Sequence, residues 1–432
     1  MKRIVICCLF AASSTISVYS QNSLQSGTIS PYSQYGMGVL GEQSQVAGRG
    51  MGGTGLALRG GTMVNTLNPA SYSAIDSLTM LFDAGVTGQL TNFKENGNSV
   101  NARSAHFDYA VGLFRMMPYV GMSFGILPFS DVGYSYTSST RLNSSVGSIV
   151  EQYTGKGGMH QAFIGIGWNP IKTLSIGVNA SYLWGNYSRS VVTTGSTTVN
   201  SLSKTYKATV NTYNLTFGLQ WQQPLGRHDN IVIGATLGLG HKMGADPQCE
   251  IVNLNTATVV SDTTTFTIDN GLELPLSYGV GLAWNHNQTI TVAADITQQQ
   301  WGSTDYPEYD ENTKTYALRS GLLRNRTRMS LGVDYVPNSM SVRSYFKRIH
   351  YRLGTSYTTP YYNINGVKGP DEFSVSAGLG LPLQNAWNSR SVLNISAQWV
   401  RTSAKDFITD NSFRISLGLT FNERWFAKWR ID

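Results

Sequence analysis

Charge is scarce in this chain of 432 residues, and apolar residues do not replace it. Charged residues make up 13%, about half of the roughly 25% that is usual for soluble proteins, yet the mean hydropathy is −0.15. Because no run of about 18 apolar residues occurs, transmembrane helices are excluded. The 23 Tyr, 16 Phe and 9 Trp are too many for a disordered polymer. A large all-β protein remains, in water or in a membrane.

Cysteine is also rare, and its placement argues against a disulfide framework. Lys2 and Arg3 precede an apolar run at 4–12, and a cleavage site follows at Ser20, so residues 1–20 are predicted to be a signal peptide. Cys7 and Cys8 lie inside that segment. Only Cys249 is left in the mature chain, so an exported protein without disulfides must be stabilised by its sheet.

Strict alternation of apolar and polar residues predicts the fold. From Leu174 to Trp184 every second residue is apolar, and the same pattern recurs at 215–221, 231–239, 276–284, 290–296, 329–335, 351–357 and 413–421. A soluble sandwich would alternate too. Here, however, the apolar faces tend to end in aromatic residues and the opposite faces carry Gly, Ser, Thr, Asn and Gln. This pattern is typical of a transmembrane antiparallel β-barrel with aromatic girdles and a polar lumen.

The connections between these strands alternate between short and long. Short ones are predicted at 117–118, 169–172, 224–230, 285–288, 337–348 and 384–390, and longer polar ones at 92–101, 138–158, 188–204, 243–271, 301–325, 358–371 and 402–412. Short periplasmic turns and long outer loops are the layout of bacterial outer-membrane barrels. About fourteen strands result for a barrel at 77–421, provided that 146–153 is a loop. Twelve or sixteen strands stay open.

Residues 21–76 do not fit the barrel pattern. Gly48, Gly50 and Gly53 formally make a GxGxxG motif, but the strand before it and the helix after it that a nucleotide site needs are missing. Glycine-rich backbone with short apolar pieces is better explained as a compact hatch. Inside a barrel its polar groups can be satisfied by the inner wall, which lipid could not do.

The hatch ends in Asn68-Pro69-Ala70, just before the first barrel strand, and here the chain resembles the FadL family of outer-membrane transporters for hydrophobic compounds. That resemblance implies a fourteen-stranded barrel, a hatch in the lumen and a kinked third strand that opens the wall toward the membrane. Some branches of the family serve protein secretion instead. Unlike the best-known members, the chain continues beyond Phe421 for eleven residues.

In the third strand, Pro128 stands where a ladder donor is needed, close to Gly125 and Phe129. Proline is otherwise confined to edges and bulges, so this segment is the predicted lateral gate. The alternative is a harmless bulge, or a strand that simply ends at Leu127.

Five charged residues are predicted on the lumen faces of their strands. They are Asp295, Arg328, Asp334, Arg352 and Arg414. The first interpretation is a structural charge network that pins the hatch, and the second is a polar guide for a substrate carboxylate. Residues 422–432 form a predicted periplasmic tail, rich in aromatic and basic residues. Such a tail suits the headgroup layer, unless it is a solvated end.

Enzymatic and nucleic-acid functions have little support in the sequence. The six histidines are scattered without a metal-binding or nucleophile motif, and the modest positive charge is dispersed. We therefore expect no enzyme, no metal, no cofactor and no nucleic acid. The predicted function is a monomeric outer-membrane channel for passive, hatch-gated uptake of small, fatty-acid-like molecules, with membrane lipids around it. The alternatives are a docking or shuttle barrel for secretion-system proteins and a general porin.

Overall fold

The computed structural model describes residues 29–77, 79–95, 97–141, 148–195, 200–255, 257–341, 343–383, 391–405 and 407–424. The predicted signal peptide and residues 425–432 of the predicted tail lie outside these ranges.

Fourteen antiparallel strands form one closed barrel, as the alternation predicts. They are Thr79–Glu95 (β1), Asn98–Met117 (β2), Val120–Arg141 (β3), Ser148–Ile171 (β4), Leu174–Thr194 (β5), Ser201–Leu225 (β6), Asp229–Gly238 (β7), Ser277–His286 (β8), Ile290–Gln299 (β9), Arg326–Tyr335 (β10), His350–Thr358 (β11), Asp371–Leu383 (β12), Ser391–Ser403 (β13) and Thr409–Arg424 (β14). Each strand pairs with the next, and β14 pairs with β1 from Thr79↔Arg424 onward, which closes the barrel.

The two faces of the wall differ as the sequence pattern predicts. On β1, Phe82, Val86 and Leu90 point outward and are about half exposed, whereas Asp83 and Thr87 point inward and are buried. The outward set makes an apolar band of the kind that faces lipid in barrels, and the inward set contacts the hatch.

Several stretches predicted as loops are in fact strand. β3 to β6 have 21 to 25 residues each, so most of 138–158 and 188–204 belongs to the wall. The prediction of a loop at 146–153 is wrong, because β4 begins at Ser148 and Tyr153 pairs with Tyr136 of β3. These segments extend past the apolar band, where both faces are polar and the alternation that marks a strand is lost.

Most of the connections are short at one end of the barrel and long at the other, although 96–97 and 336–349 are exceptions. At one end, which we call the short-turn end, described turns join β2 to β3, β4 to β5, β6 to β7 and β8 to β9. Among the described residues, the opposite, long-loop end carries three small two-stranded sheets and a hairpin that extends the barrel sheet. The small sheets are His241–Lys242 with Glu273–Leu274, Tyr306–Asp310 with Thr315–Arg319, and Asn363–Ile364 with Val367–Lys368. The hairpin consists of Gln248–Asn255 and Val260–Thr267, and its first strand pairs with β6.

Among the described residues, helical structure is limited to segments of one or two turns. They are Pro31–Gln34, Val46–Arg49, Pro69–Ala74, Trp301–Ser303 and Phe346–Arg348. No helix among the described residues has the length and apolar character needed to cross a membrane. The first three of these segments and the two-residue strand Val39–Leu40 belong to residues 29–77, which fill the lumen and which we call the hatch.

Candidate functional site

Glycines on the inner wall form the seat of the hatch. A Cβ added to Gly177 would lie 2.4 Å from the carbonyl carbon of Pro69, and one added to Gly354 would lie 2.1 Å from the Gly52 nitrogen. The same holds for further inward-facing glycines, namely Gly121, Gly167, Gly234, Gly281 and Gly332. Because these positions lack a Cβ, hatch backbone touches wall backbone directly.

The hatch contributes its own glycines to this contact. The Cα atoms of Gly50 and wall residue Gly378 are so close that a Cβ on Gly50 would lie 3.1 Å from Gly378. Gly53 has φ +81°, a conformation that glycine adopts without strain. The path of the hatch therefore requires glycine at position 53, whereas at Gly50 a side chain would make a tight contact with the wall.

Asp295 of β9 holds the middle of the hatch. Its carboxylate accepts hydrogen bonds from the backbone nitrogens of Gly55 at 2.6 Å and Leu56 at 2.9 Å. From the far wall, Gln220 donates to the carbonyl oxygens of Leu56 and Leu58. The buried backbone of this segment is thus satisfied by wall side chains, as irregular chain inside a barrel requires.

Asn68 locks the end of the hatch. Its side-chain oxygen accepts from the Ala70 nitrogen, which caps the helical turn, and its amide donates to Leu56 O at 2.7 Å and Leu219 O at 3.1 Å. The predicted Asn68-Pro69-Ala70 motif thereby joins the hatch to β6.

An ion pair connects the hatch to β10. The Arg328 guanidinium lies 2.7 Å from a Glu42 carboxylate oxygen and also donates to Gly52 O. Burial pushes the pKa of Glu42 upward, but the positive charge of Arg328 outweighs this effect and lowers the pKa to about 2. Glu42 is therefore ionised at neutral pH.

A second ion pair connects the hatch to β2. Arg49 Nη1 lies 2.8 Å from Asp108, and both side chains are less than 5% exposed. Asp108 is the extra residue of a β-bulge, because Gly85 of β1 faces Tyr109 while Val86 faces Phe107. The bulge turns the carboxylate inward, toward the hatch.

Pairing between β2 and β3 stops before either strand ends. Their last rung toward the long-loop end is Ala110↔Ile126, yet β2 reaches back to Asn98 and β3 continues to Arg141. Among the described residues, 98–109 of β2 and 127–141 of β3 are therefore not paired with each other. We call this separation the β2–β3 gap.

The hatch covers the β3 edge of this gap. Val39–Leu40 pairs with Asp131 and Ser130, Gly41 N donates to Phe129 O at 2.8 Å, and the Gln43 side chain donates to Pro128 O. The chain segment behind Pro128 is thus 39–43, whereas Asn68 to Ala70 lies against the β4–β6 wall. A short hatch strand occupies part of the edge that β2 leaves open.

Two cavities lie on opposite sides of the central hatch segment. One of about 290 Å³ lies toward the long-loop end, beside Leu127, Phe129 and Phe163. The other, of about 1040 Å³, opens at the short-turn end, and its lining of polar and apolar residues includes Asp334 and Arg352. Residues 51–58 separate the two, because Gly53 and Leu56 line the first and Met51, Ala57 and Leu58 the second.

An apolar cluster covers the long-loop end of the lumen. Tyr32 and Met37 of the hatch, Tyr187 of β5, and the loop residues Trp301 and Tyr361 belong to it. The buried guanidinium of Arg189 donates to the carbonyl oxygens of Gln34 and Gly36 and to the Tyr306 hydroxyl. The tip of the hatch is thereby fastened beneath the loops.

Comparison with known proteins gives the family. The BamG family model matches residues 1–432. The chain belongs to the BamG family. No curated protein matches this BamG-family chain.

Solved structures show the same fold. A Pseudomonas aeruginosa FadL homologue is 12% identical, with 90% of this chain and 99% of that chain covered and a TM-score of 0.61. The Ralstonia pickettii toluene transporter TbuX is 12% identical (89% and 99% covered, TM-score 0.58). The Pseudomonas putida toluene transporter TodX is 16% identical (90% and 99% covered, TM-score 0.56). The resemblance to the FadL family thus holds at the level of the fold, while the family of the chain is BamG.

The five predicted lumen charges point inward but do not form one network. Asp334 pairs with Arg352 at 3.6 Å and with His350 at 2.9 Å. Asp295 and Arg328 bind the hatch separately, and Arg414 Nε donates to Gln89 at 2.9 Å.

Several residues that hold the hatch were not predicted from the sequence, among them Glu42, Arg49 and Asp108. In the third strand, β3 continues through Pro128 with a register shift against β4 at Phe129. Gly125 has a different role from a bend, because a Cβ there would lie 2.5 Å from Val111 at the end of the β2–β3 ladder.

Proposed function

We propose that this barrel lies in the outer membrane and passes small hydrophobic molecules by passive diffusion, with the hatch as gate and the β2–β3 gap as lateral exit. The observation that carries the proposal is the early end of the β2–β3 ladder at Ala110↔Ile126. A closed ladder offers no route from lumen to lipid, and a gap in the ladder supplies one.

The surroundings of the gap fit an apolar solute. Leu127, Phe129 and Phe163 line the 290 Å³ cavity on the side of β3 and β4, next to Leu40 of the hatch strand. The solute would leave a partly polar lumen for lipid without crossing the water beyond the hatch. Transfer of apolar surface out of water favours this direction by roughly 25 cal/mol per Å².

The gate in this proposal is the strand Val39–Leu40. It holds β3 by two residue pairs and is flanked by Gly38 and Gly41, so it can leave the edge at a lower cost than a full barrel strand. The structural neighbours named as toluene transporters support a hydrophobic cargo.

Locking the gate tests the proposal. Leu40 and Ser130 are paired residues, and paired positions in antiparallel strands lie at disulfide distance. In a Cys249→Ser background, Leu40→Cys with Ser130→Cys should form a disulfide that abolishes uptake of a radiolabelled hydrophobic probe into proteoliposomes, and reduction should restore it. Ser356→Cys with Ser374→Cys, a lumen pair on β11 and β12, is the matched control and should leave uptake unchanged. Uptake at the uncrosslinked rate through the locked protein would remove the lateral exit.

Docking of secretion-system proteins is the second candidate, and the closed long-loop end favours it. The apolar cluster around Trp301 and Tyr361 covers the lumen, and the hairpin at 248–267 exposes Val259 and Val260 by 78% and 64%. If hydrophobic probes never enter, and a secreted or secretion-system protein is retained through this hairpin, docking replaces transport.

A further inference from the structure

The connection from β10 to β11, residues 336–349, differs from the other described turns at its end of the barrel. Those turns span two or three residues, at 118–119, 172–173, 226–228 and 287–289. This one has the sequence VPNSMSVRSYFKRI. It contains Arg343, Lys347 and Arg348 and no acidic residue.

Two apolar side chains of this connection stand in solvent. Met340 is 83% exposed and Phe346 is 73% exposed. Both exceed Leu353, an outward-facing residue of the neighbouring strand β11, at 64%. Apolar groups this exposed, next to cations, are a common feature of segments that bind a membrane interface.

At Phe346 the connection contacts the outer face of the barrel. The hydroxyl of Tyr351, which points outward from β11, donates to the Phe346 carbonyl oxygen at 3.2 Å. Outward aromatics at the same end, including Tyr335, Trp284 and Trp221, make the kind of girdle that marks the headgroup layer. Phe346 therefore lies beside the level where acyl chains meet headgroups.

The positive charge of this connection has no acidic partner in the part of the chain that the structure describes. In the described ranges, no carboxylate pairs with Arg343, Lys347 or Arg348. The guanidinium of Arg348 lies 5.3 Å from the centre of the Tyr345 ring, and its Nε has no hydrogen-bond partner there. The nearest acid along the chain, Asp334, faces the lumen and is bound to His350 and Arg352.

We propose that the described part of this connection, residues 336–341 and 343–349, binds anionic phospholipid headgroups in the leaflet at the short-turn end. Phe346 and Met340 enter the boundary of the acyl chains, and Arg343, Lys347 and Arg348 contact headgroup phosphates. Each cation near an anionic surface strengthens such binding roughly fivefold, and salt weakens it. This inference rests on the membrane placement in the proposed function but not on transport or on the gap.

The test measures the surroundings of the connection in bilayers of two compositions. The full barrel, with Cys249→Ser and an environment-sensitive fluorophore on Ser339→Cys, is reconstituted into nanodiscs of phosphatidylcholine with or without phosphatidylglycerol. With phosphatidylglycerol, emission should shift to the blue and iodide quenching should fall several-fold. Added salt should reverse part of this change.

Variants separate the contributions. Arg343→Gln with Lys347→Gln and Arg348→Gln should remove the response to phosphatidylglycerol, and Phe346→Ser with Met340→Ser should reduce shielding in both lipids. The matched control neutralises three exposed lysines toward the long-loop end and should respond as the unmodified barrel does. It consists of Lys94→Gln, Lys156→Gln and Lys314→Gln.

The outcomes distinguish this inference from the proposed function. A barrel that does not insert into nanodiscs contradicts the membrane placement itself. If the barrel inserts but the fluorophore reports the same surroundings in both lipids, the proposed lipid binding is wrong and the membrane placement stands. The same conclusion follows if the triple Gln variant still responds to phosphatidylglycerol. Shielding that depends on a co-purified protein, and not on lipid charge, would also overturn it and identify a protein-binding surface.

Discussion

Arg49 of the hatch and Asp108 of β2 form a 2.8 Å ion pair buried inside the barrel. Asp108 is the bulged residue of β2, two positions before Ala110, where the ladder with β3 ends. The same carboxylate accepts a hydrogen bond from Thr87 of β1 at 2.6 Å. The hatch is therefore bound to the wall beside the β2–β3 gap. A movement of the hatch at Arg49 would change how the β3 edge of this gap is covered.

Removal of one partner should loosen the hatch. Arg49→Met leaves the Asp108 carboxylate buried without its counter-ion, which typically costs about 3–5 kcal/mol. We expect faster hydrogen–deuterium exchange of the backbone amides at 39–58, with little change in the barrel strands, as mass spectrometry would resolve.

Two further variants give this prediction its controls. Arg103→Met removes an exposed arginine from the same strand and should leave exchange unchanged. Arg49→Met with Asp108→Leu replaces the ion pair by apolar groups and should recover part of the protection. Equal exchange in Arg49→Met and the unmodified barrel would mean that the pair does not hold the hatch.

The glycine seat makes a steric prediction. Gly354→Val places a Cβ about where Met51 and Gly52 backbone atoms lie, at 2.1 Å, so the hatch must move away from β11. Gly88→Val is the matched control, because Gly88 faces outward on β1 and its added Cβ meets nothing within 4 Å. Both variants should migrate as folded barrels in unheated detergent gels, and only Gly354→Val should make the hatch sensitive to protease. Equal protease resistance in the two would contradict the backbone seat.

The sequence was sufficient to predict the barrel, because a wall with one apolar and one polar face must alternate wherever it contacts lipid. Leu174 to Trp184 shows this pattern and is strand. The pattern fails at Ser148 to Tyr153, which extends past the apolar band, so a local rule could not find that strand. The same alternation predicted that Asp295 and Arg328 point into the lumen, but it could not predict which hatch groups they bind.

The Glu42–Arg328 pair makes a prediction about pH. In the folded protein the pKa of Glu42 is lowered to about 2, whereas in the unfolded chain it is about 4.5. The ion pair therefore stabilises the fold fully above about pH 4.5, and this stabilisation is lost as the pH falls through about 2. In Arg328→Leu, burial still raises the pKa of Glu42, and only Arg49 and the Ser44 hydroxyl still lower it. Acid should therefore destabilise the hatch less in that variant than in the unmodified barrel. On acidification, hatch protection from exchange should fall further in the unmodified barrel than in Arg328→Leu.

Other carboxylates also titrate in this pH range. The measurement is therefore the difference between variants in how hatch protection from exchange changes with pH. Glu42→Gln has no proton to gain at this position and should show only the background response to acid. If Arg328→Leu and the unmodified barrel lose protection in parallel, the ion pair does not control the hatch.

Partners such as Glu42 and Arg49 could not be predicted, because their contacts join the hatch to strands far along the chain. Nine barrel strands separate Glu42 from Arg328, and Glu42 does not lie in a periodic segment. Asp108 could not be assigned to the lumen either, because the bulge shifts the phase of β2 by one residue and no alternation rule anticipates it.

Asp295 controls the division of the lumen in our last prediction. Its carboxylate accepts from the Gly55 and Leu56 nitrogens, and residues 51–58 separate the two cavities. Asp295→Ala leaves two buried N–H groups without an acceptor, at about 1–3 kcal/mol for each such group. The segment should then leave its place for part of the time, and planar-bilayer recordings should show added conductance events. Asp295→Asn keeps one acceptor oxygen and should lie between Ala and the unmodified barrel, whereas Asp262→Ala, on the exposed loop hairpin, should match the latter. The expected result is that conductance events are most frequent in Asp295→Ala, fewer in Asp295→Asn and fewest in the unmodified barrel. An Asp295→Ala barrel without added conductance would show that another contact holds residues 51–58 in place.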